Sequence, residues 1–446
     1  MVEARTARIK TLVLIAIALV VVVGAGVGIT AYVSSNRSRE QSTSSNNLTG
    51  SDQQQGMPND NQNQGGGISD SSSSNSNSSS EDSNDSEDDT DGDLTEDIVL
   101  PPITADPDFT TAPAIALANA RTMLEAMIRQ NDRLSPLFVR LGFHDCVGGC
   151  DGCIDLDNID NLGLAGAINA LRPIVEEYAV DGVSRADIWA LAATTGADLA
   201  QGRERVDFDF TAYGRATCEQ ANDVCRNQDG VNVVCDETHG PHRDLPSADL
   251  TTHQLLDFFA QNFDFSLHET VAIMGAHTLG RLRRRNSGFD GDNGWVRRED
   301  ILDNEYYEGL VGGRSAADSV EALFDAPNWN QVEIDNRDLA GIPNRHQWNR
   351  GRDGTIMLNV DISLVRDIED HLTPATGEVS CQFKRRNQRA RTICPAAETL
   401  LQSAIYRHDN MVWLQDFEET MAKMLLNGST VTSDCAEGLC RVIPSN

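Results

Sequence analysis

Arg140, Phe143 and His144 stand together in the stretch Arg140-Leu-Gly-Phe143-His144-Asp145-Cys146 of a 446-residue chain. Four positions separate Arg140 from His144, so on a helix both project from one face, with Phe143 beside them. A titratable imidazole and a fixed cation aimed at one point suit a reaction that moves a proton while negative charge develops. The same pair is also what a solvated or salt-bridged helix surface carries. A second stretch, Thr270-Val-Ala-Ile-Met-Gly-Ala-His277-Thr278-Leu-Gly280, delivers a lone histidine at the end of an apolar helix just before a glycine. Capping and core histidines fill such places too. His144, Cys146, Cys150 and Cys153 can also be read as a zinc knuckle, but Cys150-x-x-Cys153 has no second spaced pair.

These groups need helices to hold them, and the apolar spacing supplies helices. Leu117, Ala120, Leu124 and Met127 recur at helical intervals, as do Leu164, Ile168, Leu171 and Ile174. Further helices are predicted over 186–200, 251–259, 266–279, 320–324, 361–370 and 408–426. Alternating runs are few and short, and no internal repeat is visible. Residues 98–446 are therefore expected to form one mainly α domain, long enough for one large core or two packed lobes.

Ahead of that domain, Thr11 to Val33 is a run of 23 residues without a charge. At ~1.5 Å per residue it can cross a ~30 Å hydrocarbon core. Arg5, Arg8 and Lys10 precede it, and Arg37 and Arg39 with Glu40 follow. The slight positive excess predicts a cytosolic segment 1–10, a transmembrane anchor over 11–33, and a lumenal or extracellular remainder. A cleaved signal peptide, which would leave the protein secreted, is the alternative. Residues 34–97 are a Ser/Asn/Asp/Gln/Gly tract with almost nothing to bury, and read as a disordered, acidic stalk. Glycosylation sequons at Asn36, Asn47, Asn77, Asn84 and Asn427 suit an external side.

The charge balance is 68 acidic against 36 basic residues, a net −32. Residues 51–100 hold thirteen acidic side chains and no basic one, and residues 101–446 still carry −22. Nucleic acid and anionic membrane surfaces are thereby excluded as principal partners, while a basic partner would be attracted. All ten cysteines lie beyond position 145. An even number so placed predicts disulfides in an oxidising compartment, without specifying the pairs.

Arg-x-x-Phe-His-Asp-Cys at 140–146 and Gly-Ala-His-Thr-Leu-Gly at 275–280 together resemble the distal and proximal motifs of the plant-type haem peroxidase superfamily. The similarity runs over nearly all of residues 110–426. It implies two helical lobes around a haem b, with His277 on the iron and Arg140 and His144 on the peroxide side. Asn161-Leu-Gly-Leu164 resembles the family's distal Asn motif, which implies that Asn161 accepts the Nδ1 proton of His144 and leaves Nε2 free as a base. Ser184-Arg-Ala-Asp187 resembles the buried-Asp helix, implying a structural pair with Arg215. Leu245-Pro246-Ser-Ala-Asp249 resembles the loop at the haem edge, where small reductants approach. No Cys-x-x-Cys-His is present, so the haem would be held non-covalently.

Asn286-Ser-Gly-Phe289, Gly294-Trp295 and Met357-Leu-Asn-Val-Asp361 are similar to the intracellular, cytochrome c peroxidase-like class. That implies Trp295 packed on His277 and Asp361 bonded to both, although Asp292 and Asn293 are extra residues before Trp295. Trp348 has a counterpart in the same class. Phe143, the cysteines and the anchor resemble the secreted classes instead, so the chain reads as a hybrid. Asp145, the Gly149 carbonyl and Asp151 match the secreted classes' distal Ca²⁺ loop, with Cys153 in place of a serine. Thr278 and Asp303 match proximal cation ligands, but Val296 and Arg298 occupy other ligand positions. Ala272, Arg283 and Asn286 stand where lignin-, Mn²⁺- and ascorbate-oxidising members carry their substrate residues.

The activity implied is reduction of hydrogen peroxide to water with one-electron oxidation of a donor. His144 would relay the proton, Arg140 would stabilise developing charge, Asp361 would make His277 more anionic, and Trp295 would hold one oxidising equivalent. Small phenols reaching the site near Pro246 are the expected reductants. A protein donor of the cytochrome c kind, or a cell-surface binding or adhesion module on the same scaffold, are the other readings.

Overall fold

A computed structural model of the chain describes residues 112–446 apart from 209, 222, 228, 292–293, 314, 324–328, 352–353, 384–391, 437–438 and 446. All of these belong to the unit spanning Asn84–Asn446. The segment 1–10, the expected anchor at 11–33 and the expected stalk at 34–97 lie outside the described residues, as do the sequons at Asn36, Asn47, Asn77 and Asn84. Among the described residues no helix is long and apolar enough to cross a membrane.

Four helices open the described fold: α1 (Ala112–Gln130), α2 (Leu134–Cys146), α3 (Ala165–Tyr178) and α4 (Arg185–Ala200). The stripe of Leu117, Ala120, Leu124 and Met127 on α1 is buried, as the spacing predicts. Helix α4 begins with a capping box: Ser184 Oγ accepts from the Asp187 amide, and the Asp187 carboxylate accepts from the Ser184 amide. It is apolar nearly all round and buried accordingly. Small residues let α2 approach it. A Cβ on Gly142 would fall 2.6 Å from the Ala193 Cβ, and one on Gly196 would fall 3.0 Å from the Ser135 carbonyl oxygen. The close crossing commits Leu134, Phe138 and Leu141 to the interior. Arg140, Phe143 and His144 lie largely but not fully covered on another side of the same helix.

Two apolar cores meet at this pair of helices. One combines α1 and α3 with Phe138 and Leu141 of α2 and with Ile188 and Trp189 of α4. The larger combines Val139 of α2 and Ala190, Ala193 and Ala197 of α4 with α5 (Thr252–Phe263), α6 (Leu267–Met274), α7 (Glu305–Leu310), α8 (Leu400–His408) and α9 (Asn410–Met424). A short strand, β1 (Thr211–Tyr213), is described after α4. A small antiparallel sheet, β2 (Asn330–Ile334), β3 (Arg345–Asn349) and β4 (Ile356–Met357), sets Trp348 opposite Met357. The C-terminal hairpin of β5 (Ser429–Ala436) and β6 (Leu439–Pro444) adds its second strand in parallel to β1.

Several helix boundaries differ from the expected ones, among them the helix expected over 251–259, which runs on to Phe263. The helix expected over 361–370 is confined to Asn359–Ile362, because the Asp367 amide donates to the Pro395 carbonyl and Arg366 bridges to Ala396. The one expected over 266–279 changes to a 3-10 turn at Gly275–Thr278. The one expected from His408 starts at Asn410, since Asp409 turns extended and caps α9 by accepting from the Val412 amide.

All ten cysteines are paired, as Cys146–Cys150, Cys153–Cys218, Cys225–Cys235, Cys381–Cys394 and Cys435–Cys440. Those pairs remove the thiolates a zinc knuckle would need.

Candidate active site

The i, i+4 spacing on α2 brings Arg140 Nε to 3.3 Å from His144 Nε2. The guanidinium is fixed at its other nitrogens, which donate to the Leu162 and Asp160 carbonyls at 2.9 Å each. His144 Nδ1 lies 2.7 Å from Asn161 Oδ1. Asn161 is itself held by donating Nδ2 to the Asp155 carbonyl at 2.8 Å. An amide oxygen can only accept, so Nδ1 carries the proton and the Nε2 lone pair accepts from Arg140 Nε. Burial, and then the neighbouring Arg140 charge, hold the His144 pKa down to about 3. Burial also lowers Arg140 to about 10, which leaves it a cation at neutral pH. Phe143 meets His144 edge-on at 5.7 Å and packs against Phe259 and Phe263 of α5.

His277 sits on the 3-10 turn that continues α6. Gly275 is required two positions earlier, because a Cβ there would fall 2.5 Å from the Trp413 Nε1. That indole donates to the Ala272 carbonyl and ties α9 to α6. His277 Nδ1 bonds Asp361 Oδ1 at 2.7 Å, and Trp295 Nε1 donates to Asp361 Oδ2 at 2.9 Å. The Trp295 and His277 rings stack at 4.3 Å. The extra residues Asp292 and Asn293 lie outside the described residues, and Trp295 reaches this stacked position after them. With Nδ1 engaged, Nε2 of His277 is the nitrogen able to take a metal. The His277 side chain is 30 % exposed although its carboxylate partner is fully buried. Phe143, Leu245, Ala248, Ala276 and Leu282 are likewise apolar, packed on the core and only partly covered. An imidazole with Nδ1 bonded to a buried carboxylate and a partly exposed ring fits a haem ligand. The segment after His277 also reaches the Arg140 side, since a Cβ on Gly163 would fall 2.8 Å from Asn286 Nδ2 and 3.6 Å from Arg140 Nη1.

Of the other expected residues, Pro246 is half-buried in its loop. Thr278 is fully buried, and its hydroxyl donates to the Ile301 carbonyl at 3.4 Å, so it is spent on the protein. Asp187 and Arg215 form a buried pair at 2.9 Å. Trp348 donates to Asn359 Oδ1.

The loop expected to hold Ca²⁺ is filled by a side chain. Arg243 donates to the Asp145 carbonyl at 2.7 Å and forms an ion pair with the Asp151 carboxylate. Asp145 Oδ1 accepts from the Gly152 and Cys153 amides at 2.7 and 3.2 Å. Burial raises the pKa of both carboxyls, and Arg243 opposes that rise. On the proximal side Arg298 donates to Asp303 at 2.7 Å and to Glu305 at 2.9 Å. These oxygens are committed to fixed cations and amides, so the residues present do not fit Ca²⁺ at either place. Asn427 Nδ2, the atom a glycan would use, donates to the Cys146 carbonyl at 2.7 Å in a half-buried setting, which opposes glycosylation there.

Two residues of the site carry no signal in the sequence. Tyr306, fully buried, donates its hydroxyl to Asp361 Oδ1 at 2.7 Å. Arg243 belongs to no spaced motif, and its partners lie 92 and 98 positions away.

A family model described as Peroxidase matches residues 120–369. A Candida albicans protein bearing the name "Putative heme-binding peroxidase" is 25 % identical over 259 residues, covering 55 % of this chain and 74 % of its own. The basic peroxidase of Zinnia elegans is 29 % identical over 261 residues, 50 % of this chain and 75 % of its own. Peroxidase 58 of Arabidopsis thaliana is 27 % identical over 336 residues, 64 % of this chain and 93 % of its own.

Proposed function

The chain belongs to the plant-type haem peroxidase superfamily, and we propose that it reduces hydrogen peroxide on a haem b held through His277 Nε2, with small phenols as electron donors. The balanced reaction is H₂O₂ + 2 H⁺ + 2 e⁻ → 2 H₂O. Haem, when bound, supplies the iron that takes up peroxide and passes the electrons. The chain's own residues handle the protons and the charge. His144 Nε2 takes a proton from one peroxide oxygen and returns it to the other, the departing one. Asn161 keeps His144 in the tautomer that can do this. Arg140, tied to two backbone carbonyls, is a fixed cation beside the base, where it can stabilise developing negative charge.

The single observation that carries the reading is the His144–Asn161 bond at 2.7 Å beside a tethered guanidinium, which together make a neutral base next to a fixed positive charge. A haem absorption band in the purified domain, with peroxide turnover, separates this enzyme from a binding or adhesion module built on the same scaffold. His277→Ala should lose the five-coordinate ferric spectrum, and added imidazole should partly restore it.

Phenols are preferred to a protein donor for reasons of access and compartment. Pro246 and Leu245 are only partly covered, in the loop that resembles the family's haem-edge loop, and closure of all ten cysteines into disulfides supports an oxidising compartment. The uncharged segment 11–33 supports a membrane anchor with the domain on the lumenal or extracellular side. Protease treatment of sealed microsomes should spare the domain, and digestion from outside would reverse that orientation. Ca²⁺ has no part in the reading, because Arg243 and Arg298 take its positions.

A further inference from the structure

Asp361 is fully buried and accepts from four donors. Oδ2 takes the Trp295 indole at 2.9 Å and the Leu358 amide at 2.7 Å. Oδ1 takes His277 Nδ1 and the Tyr306 hydroxyl, each at 2.7 Å. Four donors saturate the lone pairs of a carboxylate. Each donor other than His277 withdraws negative charge that would otherwise polarise the His277 N–H bond. The hydroxyl of Tyr306 is placed to do most, because it shares the oxygen that His277 uses.

We propose that Tyr306 is a positioning residue that tempers the donor strength of His277, by competing with it for Asp361 Oδ1. The proposal rests on His277 as the haem ligand. A phenylalanine would fill the same space: the Tyr306 ring meets the His277 ring edge-on at 6.0 Å and the Tyr307 ring at 5.1 Å. Only the hydroxyl distinguishes the two, and it is bonded to Asp361. Without it the carboxylate concentrates its charge on His277 Nδ1, the imidazole becomes more anionic, and a metal on Nε2 is held in its more oxidised state.

The test uses the haem-loaded protein and two readouts other than turnover: the Fe(III)/Fe(II) midpoint potential by spectroelectrochemistry, and the iron–histidine stretch of the ferrous protein by resonance Raman. Tyr306→Phe is expected to shift the potential down and the stretch up, with native circular dichroism. Site-specific 3-fluorotyrosine at position 306, a more acidic phenol and stronger donor, is expected to shift both the opposite way, and it tests the idea even if the phenylalanine variant folds poorly. Unchanged potential and stretch in a folded variant would overturn the role of Tyr306 while leaving His277 as the ligand. Absence of any iron–histidine stretch in the unmodified protein would overturn the ligand assignment itself, and the inference with it.

Discussion

The indole of Trp295 lies on the imidazole of His277 with ring centroids 4.3 Å apart and planes 17° from parallel. Trp295 is buried, and its indole nitrogen donates to the Asp361 carboxylate. On the proposed route, small phenols arriving near Pro246 would not need this ring. Trp295→Phe keeps an aromatic face on His277, so oxidation of guaiacol-type phenols is expected to stay within about tenfold of the unmodified enzyme, ~1.4 kcal/mol in barrier. Steady-state rates with phenol and with ascorbate check this. Loss of phenol oxidation in the variant, or a strong ascorbate preference in the parent, would mean that electrons enter through Trp295.

Arg243 makes a prediction about metals. Its guanidinium and the Asp151 carboxylate are 14 % and 12 % exposed, so removing one partner strands the other in a poorly solvated place. Arg243→Met is expected to cost about 3–5 kcal/mol, read from urea denaturation. Dialysis against a Ca²⁺ chelator is expected to leave stability and activity where they were. A chelator-induced fall in melting temperature, reversed by Ca²⁺, would show that a metal shares this loop.

Gly142 holds α2 against α4 at a distance no side chain allows. Gly142→Ala should push the helices apart and lower stability by about 1–3 kcal/mol. Because Arg140 and His144 flank this position, peroxide reactivity should fall with it even in the folded fraction. Denaturation together with peroxide kinetics on the same sample gives both numbers, and wild-type reactivity in the variant would show that the site tolerates a shifted α2.

His144 also sets a pH dependence. Its folded pKa, about 3, lies below the ordinary histidine value, so the unfolded chain binds the proton first. The stability owed to this group is complete above pH ~6.5 and is lost as pH falls from there toward about 3. The base itself stays neutral through most of that window. Peroxide reactivity should therefore be flat from neutral pH down to about 4, while the urea midpoint already declines. A reactivity profile that titrates near 6.5 would mean that His144 is solvated in the working enzyme.

What the sequence discloses follows the range of the contacts. Arg140 and His144 are legible because their relation is four residues long and a helix is all it needs. Asn161, Asp361 and Trp295 can be placed only through resemblance, since nothing local links positions 144 and 161 or 277 and 361. Tyr306 and Arg243 escape both routes: each is an ordinary residue whose role is made by a partner 55 or more positions away. The helix expected over 361–370 fails for a similar reason. Its apolar spacing is helical, but the Asp367 amide is drawn to Pro395, a contact no local pattern contains. The second strand of the C-terminal hairpin, Leu439-Cys-Arg-Val-Ile-Pro444, does not alternate apolar with polar residues, so alternation does not mark it.

The account stands most directly on the proton relay at His144. Haem-loaded parent and His144→Leu proteins should be mixed with hydrogen peroxide in a stopped-flow instrument, following the haem absorption. The variant should keep its haem and react ~10²–10⁴ times more slowly. An unchanged rate in a haem-replete His144→Leu protein would contradict the assignment.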